Sequence, residues 1–334
     1  MNCVILISFL LQLYGFSGAN SLPESRIEII KAGQKALMNG SWNEARKLFR
    51  ELYYRDTTDP VGYLMRAAAL HAEMMDREEN LYEDEFKNLC DSIGLSAEKK
   101  MTACSSSDSA LYFLCLGHRS AYRSLWETRF GSTISSISYG MKARRKYQAG
   151  LKCDSTLYDL YLGLGSYHYW KSVKSGILKF TGLLKDEKEK GIREVRLAAD
   201  SALFSRATAR SSLIWILINE RQYDSAIDLC REMLAEYPDG NSFLWPLAEG
   251  YYKSGNYDSS AAVYGRLLER LRSHPGNYYN VIEAAYYLGQ SYDKKGQEDN
   301  NPQLRQYLNS IYDDIPSAIR RKQKSKIRVL TGRH

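Results

Sequence analysis

Five histidines, at positions 71, 118, 168, 274 and 334, set the first limit on what chemistry this chain can do. A zinc protease needs two histidines one helical turn apart with a glutamate beside the first, and no H-E-x-x-H string occurs. The G-x-S-x-G elbow of an esterase is also missing. Three strings come nearer to catalysis. Ser96 and Lys99 have the S-x-x-K spacing, and Lys174-Ser-Gly176 and Lys253-Ser-Gly255 are K-S-G strings. In a penicillin-binding enzyme such strings cooperate around an acylated serine. Here no suitable S-x-N lies between them, and that chemistry needs a mixed α/β fold. Gly163-x-Gly165 is no phosphate loop, because no strand precedes it. His168 lies among Tyr167, Tyr169 and Trp170, a setting in which a histidine packs. The expectation is a non-catalytic chain that uses neither cofactor nor metal.

The residues that remain informative are aromatic, and a repeat reveals the elements that position them. Tyr occurs 26 times, too often for catalysis to be the reason. Over 207–271 the chain matches itself at a period of 34: Tyr223 with Tyr257, Ala226 with Ser260, Cys230 with Tyr264, Met233 with Leu267, and Leu234 with Leu268. The segment before each carries Leu213 and then Leu247, and Leu217 and then Tyr251; Pro238 closes the first unit. Such a period describes a helix, a tight turn and a returning helix. The small residue sits at the close approach of the two helices, and large side chains fill the space around it.

The same spacing can be phased outward. Gly33, Gly40, Trp42, Ala45, Phe49 and Leu52 predict helices over 24–38 and 42–55. Asp59-Pro60 starts the next, since proline's missing N–H would be unpaired in a first turn anyway. Residues 60–104 read as helical but repeat poorly, with Ala67, Ala68, Ala69 and Ala72 marking a closely packed helix. The acids Asp76, Glu78, Glu79, Glu83 and Asp84 read as a solvated connection. After a polar break at 105–108, a pair begins near Ala110, with Leu116-Gly117 at its contact and Tyr139, Ala143, Tyr147 and Leu151 in a stripe on its partner. Leu164-Gly165 repeats the Leu-Gly pair; an apolar segment, 177–184, and a charged run to Gly191-Ile192 follow. The last unit starts near Ile282, with Leu288, Gly289, Tyr292 and Gly296 in register and Pro302–Tyr312 as its second helix or a cap.

These features resemble the tetratricopeptide-repeat family. Residues 157–192 are similar to exported bacterial members and, more distantly, to the eukaryotic inclusion-body-clearance branch. The resemblance implies an all-α fold, a right-handed α-solenoid of six or seven helix pairs, and a concave groove lined by the first helix of each pair. Carried onto this chain, the groove positions include Tyr169 and Trp170 with Asp159 and Ser166; Trp215 and Asn219 with Ser211; Trp245, Glu249, Tyr252 and Lys253; and Tyr286 and Gln290 with Glu283, Asp293 and Lys294. The implied function is a scaffold for protein partners. An alternative is an envelope accessory subunit that binds a polysaccharide or a lipid-linked substrate for a partner enzyme.

Charge and hydropathy divide the chain further. The net charge is +7, and Arg320, Arg321, Lys322, Lys324, Lys326, Arg328 and Arg333 account for all of it. The body is therefore close to neutral, which disfavours nucleic acid as a partner. Residues 316–334 read as a flexible basic tail, with an anionic surface as one possible contact. Residues 3–16 are apolar apart from Ser8 and Gln12, and Ser17, Gly18 and Ala19 follow. This reads as a signal peptide, 1–19, although no Lys or Arg precedes the apolar run. The repeat domain then spans 20–315, outside the cytoplasm. Cys90, Cys104, Cys115, Cys153 and Cys230 are scattered and contain no C-x-x-C. Cys90 and Cys104 read either as a bridge or as buried thiols.

Overall fold

The computed structural model describes residues 23–103, 108–174, 186–296 and 301–332, and among them every regular element is helical. The helices follow one another as pairs. These are α1 (Glu24–Met38) with α2 (Trp42–Arg55), α3 (Pro60–Arg77) with α4 (Glu83–Met101), and α5 (Ser109–Phe130) with α6 (Thr133–Cys153). Next come α7 (Asp159–Lys174) with α8 (Lys188–Ser201), α9 (Arg206–Asn219) with α10 (Tyr223–Glu236), and α11 (Asn241–Lys253) with α12 (Tyr257–Ser273). Then α13 (Tyr278–Lys294) precedes α14 (Asn301–Ser310), and α15 (Ser317–Lys322) and α16 (Lys324–Thr331) follow. The apolar runs at 3–16 and 177–184, and Cys104, lie outside the described residues.

Local sequence explains the pairs. Asp59 caps α3 by accepting from Val61 N–H at 2.9 Å, ahead of Pro60 in the first turn. Gly33 leaves room for the Phe49 ring, which a β-carbon there would strike, and Gly117 does the same for Tyr147. The closest approach joins α7 to α8. A β-carbon on Gly165 would stand 2.7 Å from the Gly191 carbonyl oxygen, so the two backbones meet with no side chain between them. In the 34-residue repeat, Ala226, Ser260, Cys230, Tyr264, Met233 and Leu267 are all buried. The turn repeats as well: Gly255 and Arg221, one period apart, are both left-handed, with φ of 83° and 60°.

The first helices of successive pairs touch one another, α1 with α3, α3 with α5, α5 with α7, α7 with α9 and α9 with α11. Helices α1, α3, α5, α7, α9 and α11 therefore form one continuous layer, the inner one. The first and second pairs also return to lie against the sixth and seventh. Met38 packs on the core around Phe243 and Leu247. Asp76 accepts from Asn277 Nδ2 at 2.7 Å and from Asn280 Nδ2 at 3.2 Å.

The segment after Pro316 departs from the flexible tail expected of its charge. It forms α15 and α16, and Ile319, Ile327 and Leu330 are buried in the core shared with α13 and α14. Lys326 pairs with Glu283, Gln323 Nε2 donates to Glu283 Oε1 at 2.6 Å, and Lys322 Nζ donates to the Glu78 carbonyl at 3.1 Å. A helical spacing of three apolar residues outweighs the basic residues between them, and part of that charge meets the acids that follow α3. Cys90, Cys115 and Cys230 are buried free thiols. Burial pushes Cys90 and Cys230 up to about 12.

Candidate functional site

The expected groove residues fall into two aromatic groups and one exception. Tyr169 is the exception, because it is fully buried. Its hydroxyl donates to Glu220 Oε1 at 2.8 Å and accepts from Asn219 Nδ2 at 2.6 Å. Tyr169 is a core residue that ties α7 to the end of α9, and no partner can reach it. Trp170 stands edge-on to Tyr169 at 5.0 Å between ring centres and remains half-buried. Trp215 is half-buried at the edge of the core around α9 to α11. The second group is continuous. Trp245 meets Tyr264 at 6.0 Å, Tyr264 stacks on Tyr287 at 5.5 Å, and Tyr287 meets both Tyr252 and Tyr286. Glu249 and Lys253 pair along α11 at 2.7 Å, and Gln290 Nε2 donates to Asp293 Oδ2 at 3.3 Å. The Lys326 ammonium lies 5.4 Å from the Tyr286 ring centre, so α16 occupies part of the face assigned to the last unit.

A different feature dominates the inner layer. A cavity of about 630 Å³ is bounded by α1, α3, α5, α6, α7 and the start of α9. Its walls are mostly apolar: Leu37 and Met38 on α1, Leu64 and Met65 on α3, Leu111 and Leu114 on α5, and Leu162 and Trp170 on α7. The polar groups on it are largely engaged. Asp159 is buried, and its carboxylate accepts from the N–H groups of Leu203, Phe204 and Ser205 and from the Ser205 hydroxyl, at 2.7–3.1 Å. This fixes the α8–α9 loop against the start of α7. Tyr147 Oη and His118 Nδ1 are 3.1 Å apart. Enclosure holds His118 down to about 4 and Tyr147 well above the usual tyrosine range, so the pair is neutral near pH 7. His71, stacked on Tyr122 at 4.8 Å, is likewise held down to about 4 by burial. A neutral, apolar hollow of this kind suits capture of apolar groups better than proton transfer.

His168 is buried with Nδ1 2.6 Å from Glu194 Oε2, the packing role its neighbours suggested. Lys253-Ser-Gly255 is the α11–α12 turn, and the Ser96 hydroxyl is engaged with the Thr58 carbonyl. Among the described residues, no group of three His, Cys, Asp or Glu is placed to hold a metal ion, and no helix is long and apolar enough to cross a membrane. Sequence reading missed the cavity, because its lining is drawn from helices far apart in the chain. The one signal was the poor repetition of 60–104 and its run of small residues, which break the register that fills space elsewhere. No family model matches the chain, and comparison with curated proteins finds no match.

Proposed function

We propose that this chain is a non-catalytic scaffold of tetratricopeptide type, exported on removal of residues 1–19, whose helix pairs wind as a right-handed superhelix. Its inner layer holds a protein partner. The observation that carries this reading is the apolar cavity of about 630 Å³ on the inner layer, a volume in the range of ligand pockets. Apolar anchors of a partner segment fill it, while the half-buried Trp215, Trp245, Tyr252 and Tyr286 supply contact beyond it. The test is capture on the immobilised chain from an extract of its own envelope, with Ala121→Leu as the comparison, since Ala121 lines the cavity. A stoichiometric protein retained by the native chain and lost with Ala121→Leu supports the scaffold. Capture indifferent to Ala121→Leu and to Trp245→Ala ends it. N-terminal sequencing tests export: Asn20 is expected at the mature terminus, and an intact Met1 on a cytoplasmic protein refutes it.

The cavity also favours one second reading, an accessory subunit for a lipid-linked substrate. Its apolar lining would accept an acyl or isoprenoid chain. Mass spectrometry of solvent-extracted native protein separates the two, since a stoichiometric lipid without a protein partner selects the second.

A further inference from the structure

Helices α5 and α6 together carry eight cations against one acid, Glu127. The cations of α5 are answered within the protein. Arg119 pairs with Asp91 at 3.1 Å, Arg123 with Glu127 at 3.8 Å and Arg129 with Glu78 at 2.9 Å. The other five, Lys142, Arg144, Arg145, Lys146 and Lys152, stand on α6, which has no acid of its own. Among the described residues none of these five forms an ion pair. Arg144 and Lys146 lie over the Tyr167 and Phe113 rings, while Lys142, Arg145 and Lys152 are exposed.

The same helix is apolar where it should not be. Eight large apolar side chains stand exposed among the described residues, and four of them belong to this one pair of helices. Ile134 is 83% exposed, Ile137 58% and Met141 43% on α6, and Leu125 is 51% exposed on α5. Leu125 belongs to the same end of the pair, since its neighbour Ser124 donates to the Ser136 carbonyl at 2.8 Å. With 3.6 residues per turn, Ile134, Met141, Arg145 and Lys152 fall within about 40° of one another, flanked by Ile137 and Lys142. All six are exposed, so one uncovered stripe runs the length of α6. It is apolar over its first ~10 Å and basic over the remaining ~15 Å.

This order along the stripe selects its partner. A second copy of the chain would set one pair of cationic helices against another. A nucleic acid would meet the cations and leave the isoleucines in water. An anionic bilayer answers both parts, because apolar side chains enter the boundary between headgroups and acyl chains while Lys and Arg stay with the phosphates.

We propose that the exposed stripe of α6 docks on an anionic phospholipid bilayer. Ile134, Ile137 and Met141 enter the interface, and Lys142, Arg145 and Lys152 hold the phosphates. This docking does not depend on what occupies the apolar cavity.

The test is flotation of the full chain with vesicles of phosphatidylcholine alone and of phosphatidylcholine mixed with phosphatidylglycerol. The chain is expected to float with the anionic vesicles and not with the neutral ones, and to float less as salt rises. Ile134→Ser with Ile137→Ser should weaken the binding about tenfold, and Lys142→Gln with Arg145→Gln should do the same. Two changes should leave it as it is: Val329→Ser, at an exposed apolar residue of the basic α16, and Ala121→Leu in the cavity. The replaced residues of α6 are exposed, so both double variants should melt within about 2 °C of the native chain. Should the isoleucine pair fail that criterion, Met141→Ser makes the comparison. Failure to float with anionic vesicles overturns the proposal, even where the chain is retained on immobilised polyglutamate. Equal flotation with neutral vesicles overturns it, as does binding that survives both double variants. Binding lost with Val329→Ser and kept with the isoleucine pair replaced puts the surface on α16 and overturns it too.

Discussion

The pairs from α9 to α12 and those from α1 to α7 are made from the same unit and packed to different ends. In the first region α9 and α10 run 14 residues each, and Ala226 and Ser260 sit buried at the helix contacts with Cys230, Tyr264, Met233 and Leu267 filled in around them. In the second, α5 and α6 run 22 and 21 residues. The cavity they and their neighbours enclose is bordered in part by small residues, among them Ala68, Ala121 and Gly140. Both regions use small residues for close approach, as Gly117 does for Tyr147, but in the irregular region Ala68 and Ala121 also border an opening. Where a repeat loses its register without losing its helices, the packing constraint has been relaxed, and that is where a ligand can be housed.

The largest expected effect tests the join between the regions. Tyr169→Ala should lower unfolding free energy by about 3–5 kcal/mol in denaturant titration, as for a core aromatic. A loss under about 0.5 kcal/mol would mean that Tyr169 lies on a surface after all.

Within the irregular region, acid should act on its interior histidines and on Asp76, at the seam between the first and last pairs, with opposite signs. His71 titrates near 6.5 when unfolded and at about 4 when folded. Above pH 6.5 it costs nothing; as pH falls toward 4 the unfolded chain takes a proton that the folded one refuses. At pH 5 this amounts to about 2 kcal/mol of lost stability. His118, beside the cavity, works in the same direction. Asp76 at the seam is the reverse case. Burial, opposed by Arg77 and the two asparagines, raises it from 3.8 to about 6, so its cost is present above pH 6 and relieved as pH falls. The melting temperature should therefore fall between pH 7 and pH 5, less steeply in His71→Gln and more steeply in Asp76→Asn. A flat profile, or slopes unchanged in both variants, breaks the contrast.

Overpacking gives a smaller but sharper comparison. Ala226→Leu should cost about 1–3 kcal/mol, because nothing around it can yield. Ala121→Leu should stay within about 0.5 kcal/mol of the native chain or stabilise it, because the cavity receives the added methyls. Equal costs by thermal melting would mean that the two regions are packed alike. The smallest effect belongs to the end of the chain. Lys322 is partly exposed where it reaches Glu78, so Lys322→Gln should change stability by less than about 1 kcal/mol, with the difference vanishing in high salt.

The division between what could be read and what could not follows particular residues. The helices 24–38 and 42–55 stand where Gly33, Gly40, Ala45 and Phe49 put them. Ala226, Ser260 and Tyr264 are buried as the period requires. Tyr169 departs from its expected place because a position facing the groove in a single unit becomes interior once Glu220 and Asn219 close over its hydroxyl. The basic charge of the last segment hides the spacing of Ile319, Ile327 and Leu330, and that spacing docks it on the core.

Helix, turn and pair register are thus properties of the sequence itself. They depend on capping, on left-handed turns and on contacts within one period of 34 residues, all of which recur within short reach of one another. The return of the first pairs onto the last, the cavity and the docking of α15 and α16 belong to the tertiary structure alone. Asn277 meets Asp76 across 201 residues and Lys322 meets Glu78 across 244. No local pattern encodes such meetings. They follow from packing between helices distant in the chain, such as α3 against α13.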